Sequence, residues 1–274
     1  MRITIICENS AGPIAGTLGE HGFASLIETG DQSLLFDTGQ GETLLHNAQR
    51  MNRNLHNVHT VALSHGHYDH AGGLYPLLRN FGKKDVYAHH GIFSSRYRLK
   101  DDRSCLSIGM PYQQDFLEGL GARFIFNSGW SEILPGIFLT GEVPRSNDFE
   151  TGDKGLYCDI SGCCPDTHPD DQSLVIRSEK GLILLLGCCH SGIINTMEYA
   201  CSQSGINDVY AVIGGMHLNY SSKEQQEKTI HLLKRFGIRK IVGSHCTGFS
   251  ASARLTLELP GIFQPGQVGF TLEV

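Results

Sequence analysis

Residues 61–70 read Val-Ala-Leu-Ser-His-Gly-His-Tyr-Asp-His, and four of them carry metal-binding donors: His65, His67, Asp69 and His70. His65 and His67 flank a glycine, so both imidazoles can face one side of an extended segment. Asp69 and His70 follow at once and suit a second ion. Neutral imidazole and carboxylate are ligands for zinc, iron or manganese. Four ligands from one stretch do not close two sites, so other elements must contribute. His190 and His245 lie at the ends of later apolar runs, and Asp37 at the end of an earlier one. An open position on such an ion would hold water, which on zinc reaches a pKa near ~7 and becomes a hydroxide nucleophile at neutral pH.

Strands must deliver these side chains. Residues 2–7, 23–37, 58–63, 85–89, 122–126 and 137–140 read as strand segments, with a hairpin turn at Thr29-Gly30-Asp31 inside the second. Residues 42–53 read as a helix with Leu44, Leu45 and Ala48 on one face, and 74–81 as a second short helix. The pattern restarts at Ser173. A hairpin over 174–186 leads to Gly187-Cys188-Cys189-His190, strand 209–213 to Gly214-Gly215-Met216-His217, and strand 240–242 to Gly243-Ser244-His245-Cys246. Helices are expected over 193–202 and 224–235. Between the halves, 91–172 reads as an irregular insert. It carries the basic group Arg96, Arg98, Lys100 and Arg103, either a solvated loop or a phosphate contact, and ends in a long Gly-, Asp- and Pro-rich loop.

Composition narrows the function. The chain has 274 residues, 40% hydrophobic and 18% charged, which suits one globular domain over 1–274. A net charge of −6 disfavours a nucleic-acid partner held by a broad basic surface. Nine cysteines, an odd count with no C-x-x-C pair, argue against a disulfide framework and against a zinc ribbon. The first ten residues lack the apolar core of a signal peptide, and the run 182–186 is too short to span a membrane, so a cytoplasmic protein is expected.

Ser64-His65-Gly66-His67-Tyr68-Asp69-His70 resembles the H-x-H-x-D-H motif of the metallo-β-lactamase-fold superfamily. Leu35-Phe36-Asp37-Thr38-Gly39 resembles its first motif and His245 its last. Glu20-His21-Gly22, Gly141-Glu142-Val143-Pro144-Arg145, Gly187-Cys188-Cys189-His190, Gly214-Gly215-Met216-His217-Leu218 and His245-Cys246-Thr247-Gly248 look like one subgroup, the dihydropterin-ribofuranosylaminobenzene-phosphate synthase-like metal-dependent hydrolases. The resemblance extends over nearly the whole chain. It implies an α/β fold, a four-layer αββα sandwich with the metal site at the sheet edge. His65 and His67 would then hold a first ion, and Asp69, His70 and His245 a second. Where the superfamily supplies a bridging Asp, this chain has Gly187-Cys188-Cys189-His190. His190 is expected to complete the first site, with His168 as the alternative, and Cys188 is a candidate thiolate ligand in the bridging place. Asp37 either orients a histidine or binds metal itself.

The resemblance implies a metal-dependent hydrolase with one or two zinc ions, or iron or manganese in their place. Its substrate would be a small anionic molecule, phosphorylated or pterin-like. Asp69 and His217 are the candidate catalytic residues, and Arg145 and His21 the candidate substrate contacts. His217 can equally be a hydrogen-bonded structural histidine, and His21 a packed loop residue. Two other readings stay open: a dihydropterin-ribofuranosylaminobenzene-phosphate synthase-type reaction, and a di-iron redox protein. The redox use wants a carboxylate-rich site, and Cys188 stands where its bridging carboxylate is expected.

Overall fold

Strand Gly181–Leu186 is apolar along its length because both its faces are covered. Leu182, Leu184 and Leu186 pack outward against helices, while Ile183 and Leu185 pack inward against a second sheet. That alternation repeats through the computed structural model, which describes residues 1–30, 32–102 and 104–274. Asp31 of the expected hairpin turn and Arg103 of the basic group lie outside the described residues.

One sheet runs, in spatial order, Thr271–Glu273, Arg2–Cys7, Ala24–Thr29, Gln32–Phe36, Thr60–Ala62, Lys84–His89 and Ala122–Asn127. The other runs Phe263–Pro265, Lys240–Ser244, Val209–Gly215, Gly181–Leu186, Leu174–Ser178, Ile137–Leu139 and Ser131–Leu134. Their inner faces meet through Ile3, Ile5, Ile27, Leu34 and Phe36 on one side and Leu174, Ile176, Ile183 and Ile213 on the other. Helices Leu44–Arg50, Leu74–Phe81 and Gln114–Gly119 cover the first sheet. Helices Ile193–Ser204, Lys223–Phe236 and Phe249–Glu258 cover the second. The result is the expected αββα sandwich. The helix expected over 42–53 is shorter because Asn52, at φ 54°, turns the chain after Arg50. Among the described residues no helix is long and apolar enough to cross a membrane.

The insert over 91–172 corrects the sequence reading twice. It is not irregular throughout: Leu156–Tyr157, Tyr97–Leu99 and Cys105–Ser107 form a separate three-stranded sheet. Strands of two or three residues, one pair of them joined across more than fifty residues, leave no local periodicity to read. Nor is Arg96 part of a solvated loop. It is 2% exposed. Its Nε donates to Asp166 Oδ2 at 2.8 Å, and Nη1 and Nη2 donate to Asp170 at 2.8 and 2.6 Å. A guanidinium this deep is tolerable only when its donors are matched. Asp170 Oδ2 also accepts the Gly66 backbone N–H at 2.8 Å, so this pair ties the insert to the His65-Gly66-His67 loop. A Cβ on Gly66 would lie 2.7 Å from Arg96 Nη1, so only glycine fits there.

Replacing Arg96 by Met should strand two buried carboxylates and cost about 3–5 kcal/mol of stability, read as a lower urea midpoint. Unchanged stability would mean that the pair does not fasten the insert.

Candidate metal centre

Gln32–Phe36, Thr60–Ala62 and Lys84–His89 run parallel in one sheet, as do Gly181–Leu186, Val209–Gly215 and Lys240–Ser244 in the other. Their carboxyl ends open on the same edge, the place where sheets of this kind present functional side chains. Asp37, His65, His190, His217 and His245 all follow those ends. Six non-glycine residues among those described have positive φ, and five belong to this edge: Asp37, His168, Cys189, His217 and His245. Such conformations cost about 1–3 kcal/mol each and persist where the surroundings over-determine them.

Asp37 organises the histidines. Its Oδ1 accepts the Ser64 backbone N–H at 2.7 Å, and its Oδ2 accepts the Ser64 hydroxyl at 2.7 Å and His70 Nδ1 at 2.7 Å. The Ser64 hydrogen is thereby committed, so Ser64 Oγ must accept from His65 Nδ1, 2.8 Å away. His65 is left with its Nε2 lone pair free, and His70 turns its Nε2 away from Asp37. His245 follows the same rule. Its Nδ1 donates to Asn9 Oδ1 at 3.0 Å, and its backbone N–H donates to Glu8 Oε1 at 2.7 Å. A Cβ on Gly187 would collide with Ser64 Oγ and come within 3.0 Å of Asp37 Oδ2, which is why the chain needs glycine beside this carboxylate.

The freed nitrogens converge. His65 Nε2 lies 2.9 Å from His67 Nδ1, and a His190 nitrogen joins them within 4.8 Å. Next to this trio, Asp69 Oδ2 lies 3.2 Å from His245 Nε2 and 3.8 Å from His70 Nε2, and the two Nε2 atoms are 3.3 Å apart. Cys188 Sγ approaches His70 Nε2 to 3.2 Å, between the two groups. Both ring nitrogens of His190 are buried without a hydrogen-bond partner, as is His67 Nε2. Buried polar atoms without partners are costly, and an unpartnered His190 nitrogen beside the close approach of His65 Nε2 to His67 Nδ1 suits a cation. Thus the donor set fits divalent metal ions.

Charge supports that fit. Burial, then the neighbouring histidines, push His65 and His190 well below the usual imidazole range, and burial with His168 does the same to His67. They are neutral, with lone pairs available. Burial pulls His70 down as well, but the Asp37 and Asp69 carboxylates outweigh it and hold His70 at about 9. Burial raises Asp69, yet His70 and His245 outweigh it and keep this carboxyl well below the usual carboxylate range. Burial pushes the Cys188 thiol up.

His168 stacks on His190, with ring centroids 4.0 Å apart and planes at 9°, and its own nitrogens are buried without partners. Burial brings its imidazole down to about 4, with Asp166 opposing and Arg96 reinforcing the shift. His21 reaches the site from the rim: its Nε2 is 3.2 Å from Asp69 Oδ2 and its ring centroid 4.7 Å from that of His245. His217 lies 4.2 Å from His190, ring to ring. Arg145 differs from its expected place. Nη1 donates to the His190 carbonyl at 2.9 Å and Nη2 to the Thr167 carbonyl at 3.1 Å, so its guanidinium braces the loop behind the histidines.

The cavity over the histidines is lined by His21, Tyr68, Arg98, Leu106, Ile108, Leu156, His217 and Tyr220. A larger groove, about 640 Å³, backs onto His245 from the Asn9 side and holds none of the other candidate ligands. Sequence reasoning missed Asp153, whose Oδ2 pairs with His217 Nε2 at 3.0 Å. Against burial, this bond and Cys246 raise His217 to about 9. Asp153 lies in a loop crowded with acidic residues, where position alone gives no signal.

The profile of the metallo-beta-lactamase superfamily matches residues 18–147. A 7,8-dihydropterin-6-methyl-4-(beta-D-ribofuranosyl)-aminobenzene-5'-phosphate synthase from Methanocaldococcus jannaschii is 34% identical over 261 residues, covering 92% of this chain and 89% of its own. Tm1679, a metal-dependent hydrolase of the beta-lactamase superfamily, superposes with a TM-score of 0.85 at 28% identity, covering 100% of this chain and 99% of its own. Zn(2+)-bound PqqB from Methylobacterium extorquens shares the fold, with a TM-score of 0.59 at 14% identity and 100% coverage of both chains.

Changing Asp37 to Asn removes the acceptor that sets two tautomers. It should weaken metal retention about 10–100-fold, measured by competition with a chromogenic chelator on folded protein. Retention equal to wild type would show that the histidines hold their orientation without it.

Proposed function

The chain belongs to the metallo-beta-lactamase superfamily, and from that premise we propose that it is a metal-dependent hydrolase acting on a small anionic molecule, phosphorylated or pterin-like. The observation that carries this reading is the convergence of oriented histidines, with His65, His67 and His190 neutral, on one sheet edge beneath an open cavity. His65, His67 and His190 would hold a first zinc ion, and Asp69, His70 and His245 a second. Cys188 would add a thiolate in the bridging place. A bound ion of this kind supplies Lewis acidity and makes water acidic enough to attack an electrophile at neutral pH.

The chain's own residues do the rest. Asp69, beside His245 and His21, stays ionised and orients the attacking water by accepting its hydrogen bond. His217 serves the leaving group: Asp153 occupies Nε2, and Nδ1 is buried with no other partner. A synthase-type reaction is the second reading, favoured by the 34% identical relative, and it would use the same cavity and ions. Iron with an oxidase-like optical spectrum would instead favour the redox reading.

Three outcomes test the proposal. His67→Ala should lose bound metal and turnover together across a panel of phosphodiester, phosphomonoester, lactone and thioester substrates; turnover that survived metal loss would sink the hydrolase reading. Cobalt-substituted protein should show a sulfur-to-metal charge-transfer band that disappears in Cys188→Ser, and a band indifferent to that change would remove Cys188 from the ligand set. Asp153→Asn should lower kcat about 10–100-fold with KM little changed, whereas equal loss in both would assign it to binding.

A further inference from the structure

Three arginines of the insert and its flanking loop lie near the candidate centre, and two are fully engaged. Arg96 is clamped by Asp166 and Asp170, and Arg145 by main-chain carbonyls. Arg98 is different. Among the described residues its guanidinium has no hydrogen-bond acceptor: the nearby carboxylate, Asp153 Oδ2, stands 3.7 Å from Nη2 and is already paired with His217. The Arg98 side chain is 38% exposed, and it is the one lysine or arginine among the described residues lining the cavity.

Its setting is specific. Arg98 is the middle residue of Tyr97–Leu99, and in register it pairs with Leu156 on one neighbouring strand and Leu106 on the other. Residues directly paired across antiparallel strands point to one face, so a row Leu156–Arg98–Leu106 crosses the small sheet. All three line the cavity. From the facing wall Tyr220 brings its ring centroid to 5.0 Å from the guanidinium carbon. A planar cation bounded by two leucines and a tyrosine matches a flat apolar body bearing an anionic group, since the guanidinium fork binds carboxylate or phosphate through two parallel bonds.

We propose that Arg98 is an anion-recognition site, and that the phosphate or carboxylate it takes is a handle on the substrate and not the bond that is broken. The contacts from Arg98 to the candidate ligands run through Asp153 at 3.7 Å, then His217 at 3.0 Å, then the His190 ring at 4.2 Å. On this proposal the anion seats at the Arg98 end of the cavity, and the reacting group of the same molecule faces the candidate ligands that line its other side. This deepens the hydrolase reading and rests on its assignment of the cavity as the substrate site.

The test uses metal-loaded wild type, Arg98→Gln and Arg98→Lys at equal metal content. Phenyl phosphate, benzoate and uncharged benzyl alcohol are titrated into each, and hydrolysis of 4-acetoxybenzoate and phenyl acetate is followed. Arg98→Gln should weaken phenyl phosphate or benzoate about tenfold or more, Lys should restore part of that, and benzyl alcohol should be indifferent. Which anion responds more distinguishes phosphate from carboxylate. For 4-acetoxybenzoate, KM should rise with kcat kept. The proposal is overturned if Arg98→Gln binds both anions like wild type, if benzyl alcohol weakens equally, or if wild type binds neither anion. Rapid release of phosphate from phenyl phosphate would overturn the handle. Arginine-dependent binding with no ester turnover would sink the hydrolase reading and leave the anion site standing. Phenyl acetate turnover with an indifferent Arg98→Gln would do the reverse.

Discussion

A single buried carboxylate sets the chemistry of this edge. Asp37 accepts from His70 directly and from His65 through Ser64, and so decides which nitrogen of each ring faces the other candidate ligands. The arrangement works only because Asp37 is wholly excluded from water and because Gly187, from the opposite sheet, leaves room for Ser64 Oγ. A carboxylate in that position would be expensive to bury alone; three charge-assisted or polar donors offset the cost. The close approach of Gly187 to Ser64 and Asp37 is where the strand ends of the two sheets meet.

Much of this edge is legible in the amino-acid sequence. The histidine cluster follows an apolar run, and strand alternation with glycine-rich ends marks the places where side chains leave the sheets. His65, His67, Asp69, His70, His190 and His245 stand out on that basis, and they lie together in the fold. For Asp37 the sequence allows either an orienting or a ligating role, and its geometry is that of the orienting one. What the sequence hides is non-local. Arg96 with Asp170 spans 74 residues, and His217 with Asp153 spans 64, inside a region without periodicity. Short strands such as Leu156–Tyr157 have no signature apart from their partners. A basic cluster therefore looks uniform in sequence, although Arg96 is buried and paired while Arg98 faces the cavity.

Cys188 marks the departure from the superfamily pattern. A carboxylate between two ions adds charge and two oxygens, whereas a thiolate adds one soft donor and a single contact point. The environment reflects that choice: Cys188 is fully enclosed, with its sulfur beside His70 and its carbonyl facing Cys246.

The candidate ligands are drawn from both sheets and from positions as far apart as 65 and 245. On the ribosome, the early cluster emerges with its strands long before its last partner exists. The candidate group of Asp69, His70 and His245 is therefore incomplete until the closing elements, ending near His245, have packed across the sandwich. An ion that needs this group could be taken up only after chain completion, so its binding would record that both halves have found each other.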